Sequence, residues 1–393
     1  MPKKNFKLGI ETLLSSRKEW LAGKRVGLVS HLAAVNSKSQ TTAELLWNDP
    51  EINMTCLFGP EHGFFGKAGP GEILKFSKHP DWNLPVHSLY GRGKKPTAAM
   101  LKDVDVLVYD IQDLAVRCYT YVSTLRYVLE AAAKYGKEVI IADRPVPLAN
   151  IVDGPLTEEK FRSFVSLVDT PMCYGMTPGE TALWLKNNLG LNLQLKIAEM
   201  NGYARQEFPE DGWPEWVPPS PAITWWPAGI WYPVTVFAES FSELEYGRGT
   251  LNPFRFIAAE WIDAEATVEI LSSLKLPGVK FDSITCFAGH AKKTCGGISI
   301  TVSLPLKYRP VKTAVSILYC LQKIHGKSKV WNKSTTRKKF FDQLFGTDAV
   351  RKALLDGDDP GAIAARWNED LKKFNETRKR VLLYERRTTN EHE

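Results

Sequence analysis

Four polar clusters each follow a short apolar run that reads as a β-strand. Gly59-Pro60-Glu61-His62-Gly63 follows Met54–Phe58, and His87-Ser88-Leu89-Tyr90-Gly91 follows Leu84–Val86. Asp110-Ile111-Gln112-Asp113 follows Val104–Tyr109, and Asp143-Arg144-Pro145 follows Val139–Ala142. In an open α/β sheet the carboxyl ends of the strands open onto one crevice, so these clusters are expected on a common rim. Carboxylates, imidazole and guanidinium gathered there suit acid–base work on a polar substrate.

Glu61 sits on a turn that Pro60 restricts and Gly63 frees, which can aim its carboxyl group in one direction. As a general acid it needs a raised pKa, and Phe58, Phe64 and Phe65 could supply an apolar surround. The alternative is a loop carboxylate bonded to backbone amides. His62 could polarise a substrate oxygen, orient Glu61 or bind a metal. Asp110 and Asp113 lie three apart across a strand end, so one is expected in the crevice and the other in the following turn. Together with His62 and Asp143 they could form a carboxylate-rich metal site, but no H-x-x-x-H or H-E-x-x-H spacing supports one, and no metal is expected.

Arg117, Tyr119 and Tyr121 lie in DLAVRCYTYVSTL. A guanidinium binds a carboxylate bidentately, and tyrosines offer a sugar both an apolar face and a hydroxyl. The bland reading makes the tyrosines helix core and Arg117 a surface ion pair. Glu180 is either a substrate contact or the partner of Thr177 in a capping box. Later in the chain Glu239 and the run Glu245-Tyr246-Gly247-Arg248-Gly249-Thr250 stand out. Glycines beside Arg248 permit close backbone approach to a ligand. A lone G-x-G without a preceding strand lacks both the dinucleotide fingerprint and a phosphate-binding lysine, so no nucleotide cofactor is implied.

Strands at Arg25–Val29, the runs above and Leu193–Ala198 alternate with helical patterns at Ser39–Trp47, Tyr119–Tyr135 and Pro178–Leu189. This predicts an α/β domain on a parallel sheet. The Pro- and Trp-rich stretch Gly212–Pro233 holds five of the twelve tryptophans. Its prolines argue against a regular helix, and its aromatics predict packing at an interface or along a cleft rather than a flexible linker. It places a domain junction near residue 225, between a domain over 1–225 and a smaller α+β domain over 226–393. The latter is expected to hold a strand at Gly297–Ser303 and helices at Val311–Ile324 and Pro360–Tyr384.

With 393 residues, 44% hydrophobic and 24% charged, the chain has the composition of a folded protein large enough for two cores. No apolar run is long enough to span a membrane, and the basic start lacks the apolar core of a secretory signal. Six scattered cysteines with no C-x-x-C pair suit reduced thiols, which points to a cytoplasmic setting. The net charge of +7 is modest. Its late basic runs, Lys327–Lys339 and Arg378–Arg380, read as solvated faces rather than a nucleic-acid module.

Taken in order, PEHGFFG (Pro60–Gly66), SLYG (Ser88–Gly91), YDIQD with R-x-YTY (Tyr109–Tyr121), DRP-x-P (Asp143–Pro147), GMT-x-GE (Gly175–Glu180), PSP (Pro219–Pro221) and GRGT-x-x-PF (Gly247–Phe254) resemble the bacterial exo-β-N-acetylmuramidase family, the NamZ-like glycoside hydrolases of peptidoglycan recycling. The resemblance spans nearly the whole chain. It implies a Rossmann-like N-terminal domain, a smaller C-terminal domain closing a cleft over the active site, and release of N-acetylmuramic acid from non-reducing ends, without a cofactor. The chain departs from the family pattern at Ala115, Val146, Tyr174 and Ala222, changes expected to remove polar groups near the cleft.

N-acetylmuramic acid carries a lactyl carboxylate that N-acetylglucosamine lacks, so a selective site needs a cation. Arg117, Arg144 and Arg248 are the candidates. Glycoside cleavage also calls for two carboxyl groups. Glu61 is expected to be one, and Asp110, Asp143, Glu239 and Asp113, in that order, are candidates for the other. Two further readings use the same cleft: a sugar-acid binding protein without turnover, and a metal-dependent hydrolase.

Overall fold

The computed structural model describes residues 6–384 apart from 70, 92, 206–214 and 289–292. The first residues read for a leader, 1–5, and the opening of the Pro/Trp stretch, 212–214, lie outside them. Helix α1 (Gly9–Ser16) precedes strand β1 (Arg25–Ser30), followed by α2 (Thr42–Trp47), β2 (Asn53–Gly59), β3 (Ser77–Lys78), β4 (Pro85–Ser88) and β5 (Val106–Asp110). Helix α3 (Tyr121–Tyr135), β6 (Glu138–Ala142), α4 (Pro178–Asn188) and β7 (Leu195–Ala198) complete this half. The seven strands run in the order β3-β4-β2-β1-β5-β6-β7. All neighbours pair in parallel except the short β3, which runs antiparallel to β4. The order reverses between β1 and β5, the switch point where open α/β sheets bind ligands.

Alternation along the strands divides the apolar residues between two faces. Val26, Leu28, Val106, Val108 and Ile140 join Leu8, Ile10 and Leu13 around α1 and Ala43 and Leu46 of α2. Leu107, Tyr109, Val139 and Ile141 point the other way, toward Val122, Leu125 and Leu129 of α3 and Ala182 and Leu185 of α4. Both faces are covered, which is why these strands read as continuous apolar runs.

Past residue 225 comes α5 (Trp226–Thr235), so the Pro/Trp stretch does hold a regular helix. Pro227 falls in the first turn, where an amide has no intrahelical acceptor, and Pro233 falls in the last turn. A three-stranded antiparallel sheet follows, β8 (Phe256–Ala259), β9 (Val279–Ala288) and β10 (Lys293–Val302), in the order β8-β10-β9 with α6 (Ala264–Ser273) against it. Helix α7 (Pro310–His325) leads to α8 (Lys327–Val330), α9 (Lys338–Phe345), α10 (Ala349–Asp356), α11 (Pro360–Ala365) and α12 (Asn368–Lys379). The single final helix expected over Pro360–Tyr384 is two, because the chain turns at Arg366–Trp367 and buries the Trp367 indole. One apolar cluster runs from Tyr109 and Val139 under the large sheet to Ile317 of α7 and Phe345 of α9. Among the described residues no helix is long and apolar enough to cross a membrane.

Candidate active site

A cleft of about 430 Å³ opens beyond the carboxyl end of β2, between the large sheet and the segment after α5. Gly59 closes β2. A Cβ there would lie 2.1 Å from the Phe64 amide nitrogen, so only glycine lets the Pro60–Gly63 turn fold back this tightly. His62 takes a left-handed φ of 70°, and the atom facing its Nδ1 is the Ala68 carbonyl oxygen at 2.9 Å. A carbonyl only accepts, so Nδ1 carries the proton. Glu61 is thereby turned into the cleft, where it accepts hydrogen bonds from the Thr120 hydroxyl at 2.6 Å and the Gly71 amide at 3.3 Å. Its surround is therefore polar rather than the phenylalanine pocket expected, with Phe58 and Phe64 buried in the core. Burial, then the nearby Glu61 charge, push the Tyr90 hydroxyl up to about 12.

The facing wall comes from the other half of the chain. Glu239 lies on the 3-10 helix Val236–Ser240 directly after α5 and lines the same cleft. Burial raises its carboxyl pKa above the ordinary glutamate range and the Glu61 charge adds to the rise, while Arg248 and Arg337 oppose it. Arg248 donates to Glu239 at 3.3 Å and to the Tyr246 hydroxyl at 3.5 Å. Gly247 makes this loop possible: its φ is 75°, and a Cβ would stand 2.1 Å from the Asn252 carbonyl oxygen. Arg337 donates to the Glu239 carbonyl and stacks on Phe340. Across the cleft the Lys94 ammonium lies 4.5 Å over the Phe164 ring.

Tyr119 and Tyr121 both line the cleft, their rings 4.6 Å apart. Tyr121 donates to the Pro219 carbonyl, which also accepts from His31. The other nitrogen of His31, Nε2, accepts from the Gln112 amide at 3.1 Å. Burial and the Arg144 charge push His31 down to about 3, so it stays neutral and pins the Pro219–Ser220 segment against the cleft. His31 follows β1 at the switch point. Only Ser30 and His31 separate Val29 from the apolar Leu32-Ala33-Ala34, so no polar cluster marks this strand end in the sequence. Arg337 was missed because its basic run read as a solvated face: it is exposed, yet it lines the cleft. Arg378 of the second run is buried, donating to the Gly175 carbonyl at 2.6 Å.

Several expected site residues do not reach the cleft. Asp110 is fully buried and forms a two-point ion pair with Arg144, also accepting from the Thr42 hydroxyl. Arg144 also donates to the Val35 carbonyl at 2.9 Å. Asp143 accepts from the Arg144 and Gly179 amides and from the hydroxyls of Thr177 and Tyr384, at 2.6 to 3.0 Å. Asp113 is buried and accepts from the Leu114 amide at 2.6 Å. Glu180 closes the capping box with Thr177 and pairs with buried Arg205. Arg117 is fully buried and holds four carbonyl oxygens, those of Pro155, Thr170, Leu344 and Phe345. The last two end α9, where the helix dipole favours a cation, so Arg117 ties the two halves together rather than gripping a ligand. Of the three guanidinium groups expected for a substrate carboxylate, Arg248 alone faces the cleft.

The four departures from the family pattern also divide. Ala222 lines the cleft, whereas Val146 and Tyr174 are buried and Ala115 sits in a left-handed turn with φ 60°. Tyr174 removes no polar group, since its hydroxyl donates to Asp113 at 3.5 Å. Among the described residues no group of three or more His, Cys, Asp or Glu side chains could hold a metal ion.

Comparison with known proteins gives a consistent result. The family model for the N-terminal part of exo-beta-N-acetylmuramidase NamZ matches residues 26–226, and that for its C-terminal part matches residues 230–384. The chain is 34% identical over 386 residues to the peptidoglycan beta-N-acetylmuramidase NamZ of Bacillus subtilis, covering 97% of this chain and 92% of that protein. It superposes on a crystal structure of a DUF1343 family protein from Bacteroides fragilis with a TM-score of 0.91 at 31% identity, over 98% of this chain and 100% of the other. A second such protein from the same organism gives a TM-score of 0.75 at 26% identity, with the same coverage.

Proposed function

The chain belongs to the exo-beta-N-acetylmuramidase NamZ family, and from that premise we propose that Glu61 and Glu239 are the two carboxyl groups with which it cleaves a terminal N-acetylmuramic acid from peptidoglycan-derived fragments. It is a glycosidase acting from the non-reducing end. The observation that supports the pairing is that the two carboxyl groups come from opposite walls of one cleft and lie near enough for the charge of Glu61 to act on Glu239.

Glycoside cleavage needs an acid at the leaving oxygen and a carboxylate opposite that attacks the sugar or activates water. Glu239, whose carboxyl burial pushes up, suits the acid. Glu61, into which a hydroxyl and an amide donate, suits the carboxylate. Arg248 is the cation placed for the lactyl carboxylate, with Arg337 and Lys94 adding positive potential. A substrate carboxylate on Arg248 also weakens the pull of that cation on Glu239 and so favours the protonated acid. Tyr119, Tyr232 and Phe164 offer ring faces to the sugar.

Glu61→Gln and Glu239→Gln should each lower kcat on a chromogenic N-acetylmuramide by about 10³-fold or more while the protein stays folded. A rate within tenfold of the parent removes that residue from the pair. Activity indifferent to a chelator is expected, and loss restored by a divalent ion would favour a metal-dependent hydrolase instead.

A further inference from the structure

A second groove, of about 490 Å³, lies on the other side of α5 and shares no residue with the cleft. Its walls are the indoles of Trp225, Trp226 and Trp231 on one side and Thr301, Val302 and Ser303, at the end of β10, on the other, with Arg255 between them. Successive residues of α5 divide the two sites: Tyr232 faces the cleft and Trp231 faces the groove.

Two features set this groove apart from an ordinary apolar surface. The Arg255 guanidinium lies 5.4 Å over the Trp231 ring and has an Asn252 side-chain oxygen at 3.3 Å as its hydrogen-bond partner. Among the described residues its buried Nε–H has no acceptor and no carboxylate pairs with it. The Trp231 indole is 7% exposed, and its Nε1–H is likewise buried without an acceptor among the described residues. Buried donors left unbonded cost stability, so a site that keeps a cation and an indole donor unsatisfied side by side is complementary to an anionic acceptor. Trp225, 38% exposed and packed against Trp231 with ring centroids 5.4 Å apart and planes tilted by 59°, presents an open ring face. A ring face beside a guanidinium and two hydroxyl residues is the chemistry that receives a pyranose carrying a carboxylate.

We propose that the Trp225–Trp231–Arg255 groove is a second saccharide site that binds a sugar ring bearing a carboxylate. The choice of N-acetylmuramic acid as that sugar rests on the muramidase reading, whereas the groove's own chemistry asks for the ring and the anion. The site holds an acidic sugar of the glycan without acting on it. Trp225 supplies the stacking face, and Arg255 with the Trp231 N–H supplies the carboxylate contacts.

The test is a titration of N-acetylmuramic acid into the full chain labelled with ¹⁵N at tryptophan, following the indole N–H signals, with Trp231→Phe used for assignment. The Trp231 signal is expected to shift to saturation. Arg255→Gln and the exposed-site variant Trp225→Ala should each weaken that response about tenfold or more, as should replacing the ligand by N-acetylglucosamine, which has no carboxylate. Both variants should release N-acetylmuramic acid from a chromogenic muramide at the parent rate. A Trp231 signal that does not move, a response that survives both substitutions, or equal binding of N-acetylglucosamine overturns the proposal. Absence of turnover by the parent protein would instead overturn the muramidase reading and leave the groove to be judged by binding alone.

Discussion

The turn after β2 and the turns after β5 and β6 begin alike, each placing an acid at or just beyond the end of a buried strand, yet they meet different surroundings. Asp143 is capped by the amino end of α4 and by Tyr384 from the far end of the chain, and Asp110 is closed off by Arg144 and Thr42. Glu61 keeps an open side: the Thr120 hydroxyl and the Gly71 amide hold it, with Tyr90 beside it, while its carboxyl group faces the cleft. What differs is the cover. Acids at strand ends are placed by topology, but whether they serve the fold or a substrate depends on which later segment lands on them.

The sharpest way to break this comparison is to neutralise one acid of each kind. Glu61→Gln should cost about 10³-fold or more in kcat with the denaturation midpoint unmoved. Asp110→Ala should do the reverse, destabilising the fold by about 3–5 kcal/mol because it leaves Arg144 buried and uncompensated, with kcat per folded molecule within a few-fold of the parent. Measuring both quantities on both variants decides the matter. A large stability loss in the first or a 10³-fold rate loss in the second would erase the distinction.

The same contrast explains how far the sequence could be read. The parallel sheet and its helices were legible because β-branched runs alternate with amphipathic ones and because Thr177 and Glu180 form a capping box. Glu61 was legible because Pro60 and Gly63 mark a constrained turn. Arg117 was not: a guanidinium in a polar motif looks the same whether it meets a ligand or the carbonyl end of α9, more than two hundred residues away. Arg337 failed the opposite way, its basic run hiding one exposed member that lines the cleft. Long-range cover of this kind leaves no local pattern in the chain.

A smaller effect sharpens the role of Glu239. If it is the acid, activity falls as pH rises through its pKa, which burial has already raised and which Arg248 pulls back. Arg248→Gln removes that pull, so the alkaline limb of the kcat profile should move to higher pH even as KM rises. A limb that stays in place, or moves down, assigns the limb to another group.

For the covered acids the pH signature belongs to stability. Burial pushes Asp143 up to about 7 from its ordinary 3.8. The folded protein therefore keeps a proton that the unfolded chain gives up near pH 4. The stability this provides is complete below about pH 4 and is lost as pH rises to about 7. Asp143→Asn should flatten that fall in denaturation midpoint between pH 4 and 7, with no matching change in the pH dependence of kcat. An unchanged slope would mean that the four donors around Asp143 hold it ionised.

The smallest expected effect concerns the backbone that carries the covered side. Ala115 stands at φ 60°, a left-handed turn that an L side chain adopts at a cost, and it precedes the strand-like bridge between Val116 and Cys173. Glycine adopts this conformation freely but loses more chain entropy on folding. Ala115→Gly should therefore gain about 0.5–1 kcal/mol net, read as a small rise in urea midpoint at unchanged slope. Because Ala115 lies in the buried layer behind the cleft, kcat and KM should not move. A change in KM here would mean that the buried layer and the open acid are coupled, and that the division between cover and cleft is less complete than the geometry indicates.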